Sequence, residues 1–107
     1  MQALLLPLRA GVPHYRFSVE LDGADYGITL RHNERDGYWY LSLATGAGEP
    51  ILSGSRVVLG LPLLRNVVSP LRPPGELVAT DTSSRGLLPG LDDFGTRVLL
   101  AYVERAA

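Results

Sequence analysis

The sequence predicts an all-β protein: a small antiparallel sandwich or open barrel of about seven strands, with no long helix. Three observations carry that expectation. Apolar and polar residues alternate with period two in several segments. Turn signals rich in Gly, Asp and Asn punctuate those segments at roughly 8–12-residue spacing. Nowhere do apolar residues recur at helical spacing over about ten positions.

In HYRFSVEL, Tyr15, Phe17, Val19 and Leu21 fall on one face, and His14, Arg16, Ser18 and Glu20 on the other. That is a half-buried strand. Asp22-Gly23 follows, the preferred pair for a type I′ hairpin turn. The next strand runs from about Ala24 to Arg31, with Tyr26, Ile28 and Leu30 facing in. HNERDG supplies a longer turn closed by Asp36-Gly37. In GYWYLSLAT, Trp39, Leu41 and Leu43 share a face opposite Tyr38, Tyr40 and Ser42. Aromatic residues on both sides predict a central strand, with Trp39 in the core and Tyr38 and Tyr40 against a second layer or a partner protein. After TGAGEP, PILSGSRVVLG reads as a fourth strand, with Gly54 marking a bulge or bend. These strands form a meander.

The second half is less regular. LPLLRNVVSPLRPPG holds four prolines, which leave room for a single helical turn around Pro62 to Asn66. GELVATDT is a short strand. GTRVLLAYVER is the last, with Val98, Leu100 and Tyr102 opposite Leu99, Ala101 and Val103, so both of its faces are expected to be buried. The predicted core includes Trp39, Leu41, Leu43 and Leu100. The organisation expected is one β domain over residues 1–107, with 1–10 an extended N-terminal strand or arm.

Composition narrows the function. The 107 residues are 46% hydrophobic and 20% charged, which is globular, and the formal net charge is −1. No strong field attracts nucleic acid or an anionic membrane. All ten basic residues are arginine. The absence of cysteine removes disulfides, iron–sulfur clusters, cysteine-ligated zinc and a thiol nucleophile, and fits a reducing cytoplasm. MQALLLPLRA lacks a basic n-region and is a poor signal peptide. No apolar run approaches the roughly 20 residues of a membrane span.

The sharpest chemical candidate is PGLDDFGTR, residues 89–97, with Asp81 upstream in VATDTSSRG. Three carboxylates near one loop fit a metal site or an acid/base pair. They also fit turn chemistry, because aspartates accept hydrogen bonds from main-chain N–H groups one or two residues on. The D-x-[DN]-x-[DN]-G calcium spacing is missing. The expectation is therefore a structural turn made by Asp81, Gly90, Asp92, Asp93, Gly95 and Arg97, with Arg97 or Arg85 pairing with the carboxylates. His14 and His32 show no H-x-H or H-E-x-x-H spacing and read as ordinary turn or surface residues. A Ser/His/Asp set drawn from His32, Asp81 and Ser83 lacks a nucleophile elbow. Neither VLGLPLL nor GAGEP is a phosphate-binding loop. No catalytic, cofactor-binding or metal-binding residue is expected.

WYLSLATGAGEPILSGSRVVLGLPLL, then PPGELVATDTSSRG, then PGLDDFGTRVLLAYV, in that order, resemble the family of small phage proteins named after a cyanophage baseplate plug. The carrying features are Asn33 before Trp39-Tyr40-Leu41, Gly75-Glu76-Leu77 leading to Asp81-Thr82, and Gly90 to Arg97 entering Val98 to Val103. The closing Gly-Leu-Asp-Asp-x-Gly-Thr-Arg turn is the most specific. The match covers roughly Ala10 to Val103.

The resemblance implies a structural component of a contractile phage tail baseplate, not an enzyme, with no cofactor. It implies partners among the hub, tube or wedge subunits, and a virion protein assembled in the host bacterial cytoplasm. Self-association stays open; nucleic acid and membrane are not expected partners. Contacts are expected on MQALLLPLR and on the proline-rich segment, which are apolar yet poorly patterned for a core. Deleting Met1 to Arg9 is expected to block incorporation and leave a folded domain. One alternative is a small β-barrel module binding single-stranded nucleic acid or sugar, which needs a basic or aromatic-lined groove. Another is a small hydrolase or metal-dependent enzyme, which needs the aspartates to converge with a histidine.

Overall fold

In the computed structural model the alternating segments become seven strands in two sheets. The structure describes residues 3–65, 67–83, 85–86 and 89–104. Met1 and Gln2 of the expected arm and Asn66 of the expected helical turn lie outside them. The strands are β1 (Ala3–Leu5), β2 (His14–Leu21), β3 (Ala24–His32), β4 (Trp39–Thr45), β5 (Pro50–Arg56), β6 (Glu76–Asp81) and β7 (Val98–Val103). One sheet has the order β2-β3-β4-β5, the predicted meander; the other has the order β1-β7-β6. All ladders are antiparallel. The architecture is a sandwich rather than a closed barrel. Among the described residues there is no helix, so none is long and apolar enough to cross a membrane.

The β2–β3 hairpin turns on Asp22 (φ 51°) and Gly23 (φ 82°). Both central residues are left-handed, as a type I′ turn requires. β4 pairs with β3 and β5 and is central, and its ladder to β5 shifts register between Leu41 and Ala44. Period-two alternation delivers Ile28, Leu30, Trp39, Leu41 and Leu43 to the interior from one sheet. Leu77, Ala79, Val98, Leu100 and Tyr102 meet them from the other. β7 is the middle strand of its sheet: Val98, Leu100 and Tyr102 are fully buried, whereas Leu99, Ala101 and Val103 are only half-buried.

The irregular half closes the sandwich. The chain leaves β5, buries Val57, and runs beside the free edge of β6 through a parallel bridge of Leu59 to Ala79. There the Gly60 N–H donates to Ala79 O (2.9 Å) and the Leu63 N–H to Leu77 O (2.8 Å). Covering an edge in this way satisfies donors that would otherwise template another strand. Residues 63–65 form a short turn that seats Leu63 and Leu64 in the core.

Candidate functional site

The acidic turn is held by its own main chain. Asp93 Oδ2 accepts the Gly90 N–H (2.9 Å), and the Asp93 N–H returns to Gly90 O (3.3 Å). Asp93 O accepts the N–H groups of Thr96 (3.1 Å) and Val98 (2.9 Å), while the Thr96 hydroxyl donates to Asp92 O (2.9 Å). Gly95 sits at φ 110°, and a Cβ there would lie 3.2 Å from Leu8 Cβ. Only a residue without a side chain fits that conformation and that approach. Asp92 is exposed.

Directly after these aspartates the turn drives Phe94 inward to complete burial, its ring 5.4 Å from that of Trp39. The Trp39 Nε1–H donates to Gly90 O (3.0 Å), and the Gly11 N–H donates to Leu91 O (3.1 Å). One loop therefore locks the N-terminal segment, β4 and β7 together.

Arg97 supplies the charge. Its Nη1 lies 2.9 Å from Asp81 Oδ2, and its Nη2 lies 3.5 Å from Asp93 Oδ2. The Asp81 side chain is only 4% exposed. Its other oxygen, Oδ1, accepts the Ser83 N–H (2.9 Å) and the Ser83 hydroxyl (2.7 Å). A carboxylate this buried needs both the cation and the donors to stay ionised without penalty. Arg85, the other expected partner, is exposed.

The chemical alternatives are not assembled. Ser83 spends its hydroxyl on Asp81, and His32 packs against Trp39 with the rings tilted by 59° and their centroids 5.3 Å apart. His14 is exposed. Among the described residues no group of three or more His, Asp or Glu side chains is placed to hold a metal ion. Of the expected core residues, Trp39, Leu41, Leu43 and Leu100 are each at most 1% exposed.

The aromatic pair lies opposite Trp39 as expected, but without the second layer that was one of its two expected covers. Tyr38 and Tyr40 are half-buried on the outer face, not against a second layer. The Arg56 guanidinium covers Tyr38 (4.3 Å to the ring centroid) and Arg31 covers Tyr40 (5.7 Å). Asp36 accepts the Tyr40 hydroxyl; that bond holds its carboxyl below the usual range and raises the Tyr40 phenol.

Two features had no sequence signal. Arg72 donates to four main-chain carbonyls: Leu64 (2.6 Å), Val67 (3.1 Å), Pro73 (3.0 Å) and Gly75 (2.8 Å). It also pairs with Glu76 (3.3 Å). One guanidinium thus organises the proline-rich segment. Tyr102 receives the Gly75 N–H (2.7 Å) and donates to Asp22, joining the two sheets. Burial, reinforced by the Asp22 bond, raises its phenol well above the usual value.

The large apolar side chains left exposed among the described residues are Leu4, Leu5, Leu61, Val68 and Leu71. They fall in β1 and in the proline-rich segment. The first cannot be removed cleanly. β1 pairs with β7, Leu6 is buried, the Leu6 N–H donates to Leu100 O (3.0 Å), and the Arg9 N–H donates to the Tyr15 hydroxyl (3.0 Å). Deleting Met1 to Arg9 would strip a strand and a core leucine, so incorporation of that truncation would not separate docking from stability.

The model of a family described as cyanophage baseplate Pam3 plug gp18 matches residues 3–105 of the chain. No curated protein matches it.

Proposed function

The chain belongs to the cyanophage baseplate Pam3 plug gp18 family, and from that premise we propose that it docks against hub, tube or wedge subunits in the baseplate of a contractile tail. Membership in the family carries a structural role in a phage baseplate and a place in the virion tail. The reading adds that the chain acts as one domain over residues 1–107, with 1–10 as an arm, and that it is assembled into particles in the host bacterial cytoplasm. Asp81, Asp92, Asp93 and Arg97 shape the backbone and perform no chemistry.

The observation that carries this reading is where apolar surface is left. Leu5 is 61% exposed on β1, which is paired with β7, and Val68 is 96% exposed between Val67 and Ser69, whose carbonyls accept from Arg72. Exposed apolar side chains on a rigid frame favour association, because little conformational entropy is lost on contact. Among the described residues no strand pairs with the outer edge of β1, which a neighbour can extend by strand addition.

The test is incorporation. Leu5→Asp and Val68→Asp keep the core and remove the apolar contacts. Both proteins should fold, with incorporation into particles lowered about tenfold or more, the scale of one lost apolar anchor. Normal incorporation of both variants would refute docking through these segments.

A further inference from the structure

The outer face of the β2-β3-β4-β5 sheet carries charge segregated by sign to its two ends; Arg31 and Arg56 cover Tyr40 and Tyr38, and no ion pair among the described residues involves the charges of this face. Register places His14, Arg31, Tyr40 and Arg56 in one row across the four strands. Arg16 stands two residues further along β2, opposite Thr29. At the other end Glu20 pairs directly with Asp25, and Glu49 lies in the β4–β5 turn at that same end. The two ends are roughly 20 Å apart at about 3.3 Å per residue.

Like charges placed opposite each other on a sheet are destabilising. Here Glu20 and Asp25 face each other directly at one end, while at the other end Arg16, Arg31 and Arg56 gather across the strands opposite Thr29, His14 and Tyr40 rather than each other. The five side chains Arg16, Glu20, Asp25, Arg31 and Arg56 are all exposed, and none forms an ion pair with a described residue. The β3–β4 turn adds Glu34, Arg35 and Asp36 to the cationic end, which offset one positive charge and leave a net excess of two. Asp22, at the acidic end, is turned to the Tyr102 hydroxyl. Between the ends the face is low: Ser18, Gly27, Thr29, Ser42 and Ala44. Arg16 lies flat over Gly27, where a Cβ would come within 2.8 Å of its Nη2, and a shallow hollow of about 160 Å³ opens beside it. A like-charged pair set directly opposite, on the same face as an arginine-rich end whose charges no carboxylate among the described residues pairs with, marks a surface made for something outside it.

We infer that this face is a self-association surface on which a second copy of the chain docks face to face with strand direction reversed. A two-fold axis lying in the interface and crossing the strands sets the Arg16/Arg31/Arg56 end of each copy on the Glu20/Asp25/Glu49 end of the other. Both like-charged ends are then neutralised at once, and the low middle rows let the sheets approach. A single-stranded nucleic acid would gain from the cationic end but be repelled by the acidic one, so a second copy is the better-matched occupant. The face measures about 19 Å by about 20 Å, below the roughly 800 Å² per partner of a standard interface. The dimer is accordingly weak and salt-sensitive. This goes beyond docking through β1 and Val68, and a failure here leaves the incorporation test unaffected.

The test is sedimentation equilibrium of the full chain at sub-millimolar concentration, with two charge-reversed variants: Arg16→Glu with Arg31→Glu, and Glu20→Arg with Asp25→Arg. The wild type should dimerise at about 50 mM salt and weaken about tenfold or more at about 500 mM, as screening shortens to a few ångströms. Each variant alone should be monomeric, while an equimolar mixture of the two should form a heterodimer. If a reversal fails to fold, Arg31→Gln and Asp25→Asn should each weaken the dimer severalfold. A wild type monomeric at low salt would overturn the inference. So would a dimer indifferent to charge reversal, or reversals that change only the binding of a single-stranded oligonucleotide.

Discussion

Replacing Arg97 by Ala asks most directly whether the acidic turn is architecture. The Asp81 side chain is 4% exposed and Arg97 19%, and their ion pair is 2.9 Å long. Breaking a buried pair by removing one partner costs about 3–5 kcal/mol, because the other charge is stranded. Asp81 keeps the Ser83 N–H and hydroxyl, so the lower end, about 3 kcal/mol, applies. At roughly 4–8 °C per kcal/mol for a domain near this size, Tm should fall by about 12–24 °C. Asp81→Asn keeps a hydrogen-bonding side chain and should cost less, about 1–2 kcal/mol. In a double-mutant cycle the two losses should overlap by about 1–3 kcal/mol. The assay is urea unfolding followed by Trp39 fluorescence. A site that holds carboxylates together for chemistry behaves oppositely, since neutralising one relieves repulsion. If Arg97→Ala costs under about 0.5 kcal/mol, or Asp81→Asn raises Tm, the structural reading of the aspartates is wrong.

Arg72→Lys should cost about 2 kcal/mol in the same assay, because a single ammonium cannot span four carbonyls as the guanidinium fork does; an unchanged midpoint would contradict that role. Gly75→Ala should cost about 3 kcal/mol, since its Cβ would lie 2.2 Å from Val103 O and 2.7 Å from the Tyr102 ring; a soluble variant of wild-type Tm would refute the packing. Tyr102 titrates at 10.0 when unperturbed and higher in the fold. Above pH of about 10 the unfolded chain therefore binds fewer protons at this group than the folded one, and stability falls as pH rises. Its contribution is complete below that pH. Tyr102→Phe should lower Tm at pH 7 and flatten the decline above pH of about 10; an equally steep decline would assign it to other groups.

Much of the fold was legible because alternation and turn chemistry are local. The Asp22-Gly23 pair named its own turn, and the Trp39, Leu41, Leu43 triplet named its own buried face. What was not legible depends on main-chain partners distant in sequence. The run from Val57 to Leu63 shields the edge of β6 through N–H groups, which carry no side-chain signature. Arg72 reads as one more surface cation until the carbonyls around it converge. Phe94 reads as part of a glycine-bounded turn, and only the sandwich above it shows that the turn drives an aromatic ring into the core. In the acidic turn, the residues were identifiable but not their division of labour: Asp93 holds the loop, Asp81 holds Arg97, and Asp92 faces solvent. The face of Tyr38 and Tyr40 was legible, but not that arginine from neighbouring segments rather than a second layer of this chain covers them.

Quantitative mass spectrometry of purified, intact tails, separated from empty heads and free protein, measures whether this chain is a fixed part of the baseplate. Recovery at a constant ratio to the other baseplate subunits, unchanged by washing in high salt, is the predicted result. Its absence from tails that otherwise assemble and contract would contradict the account.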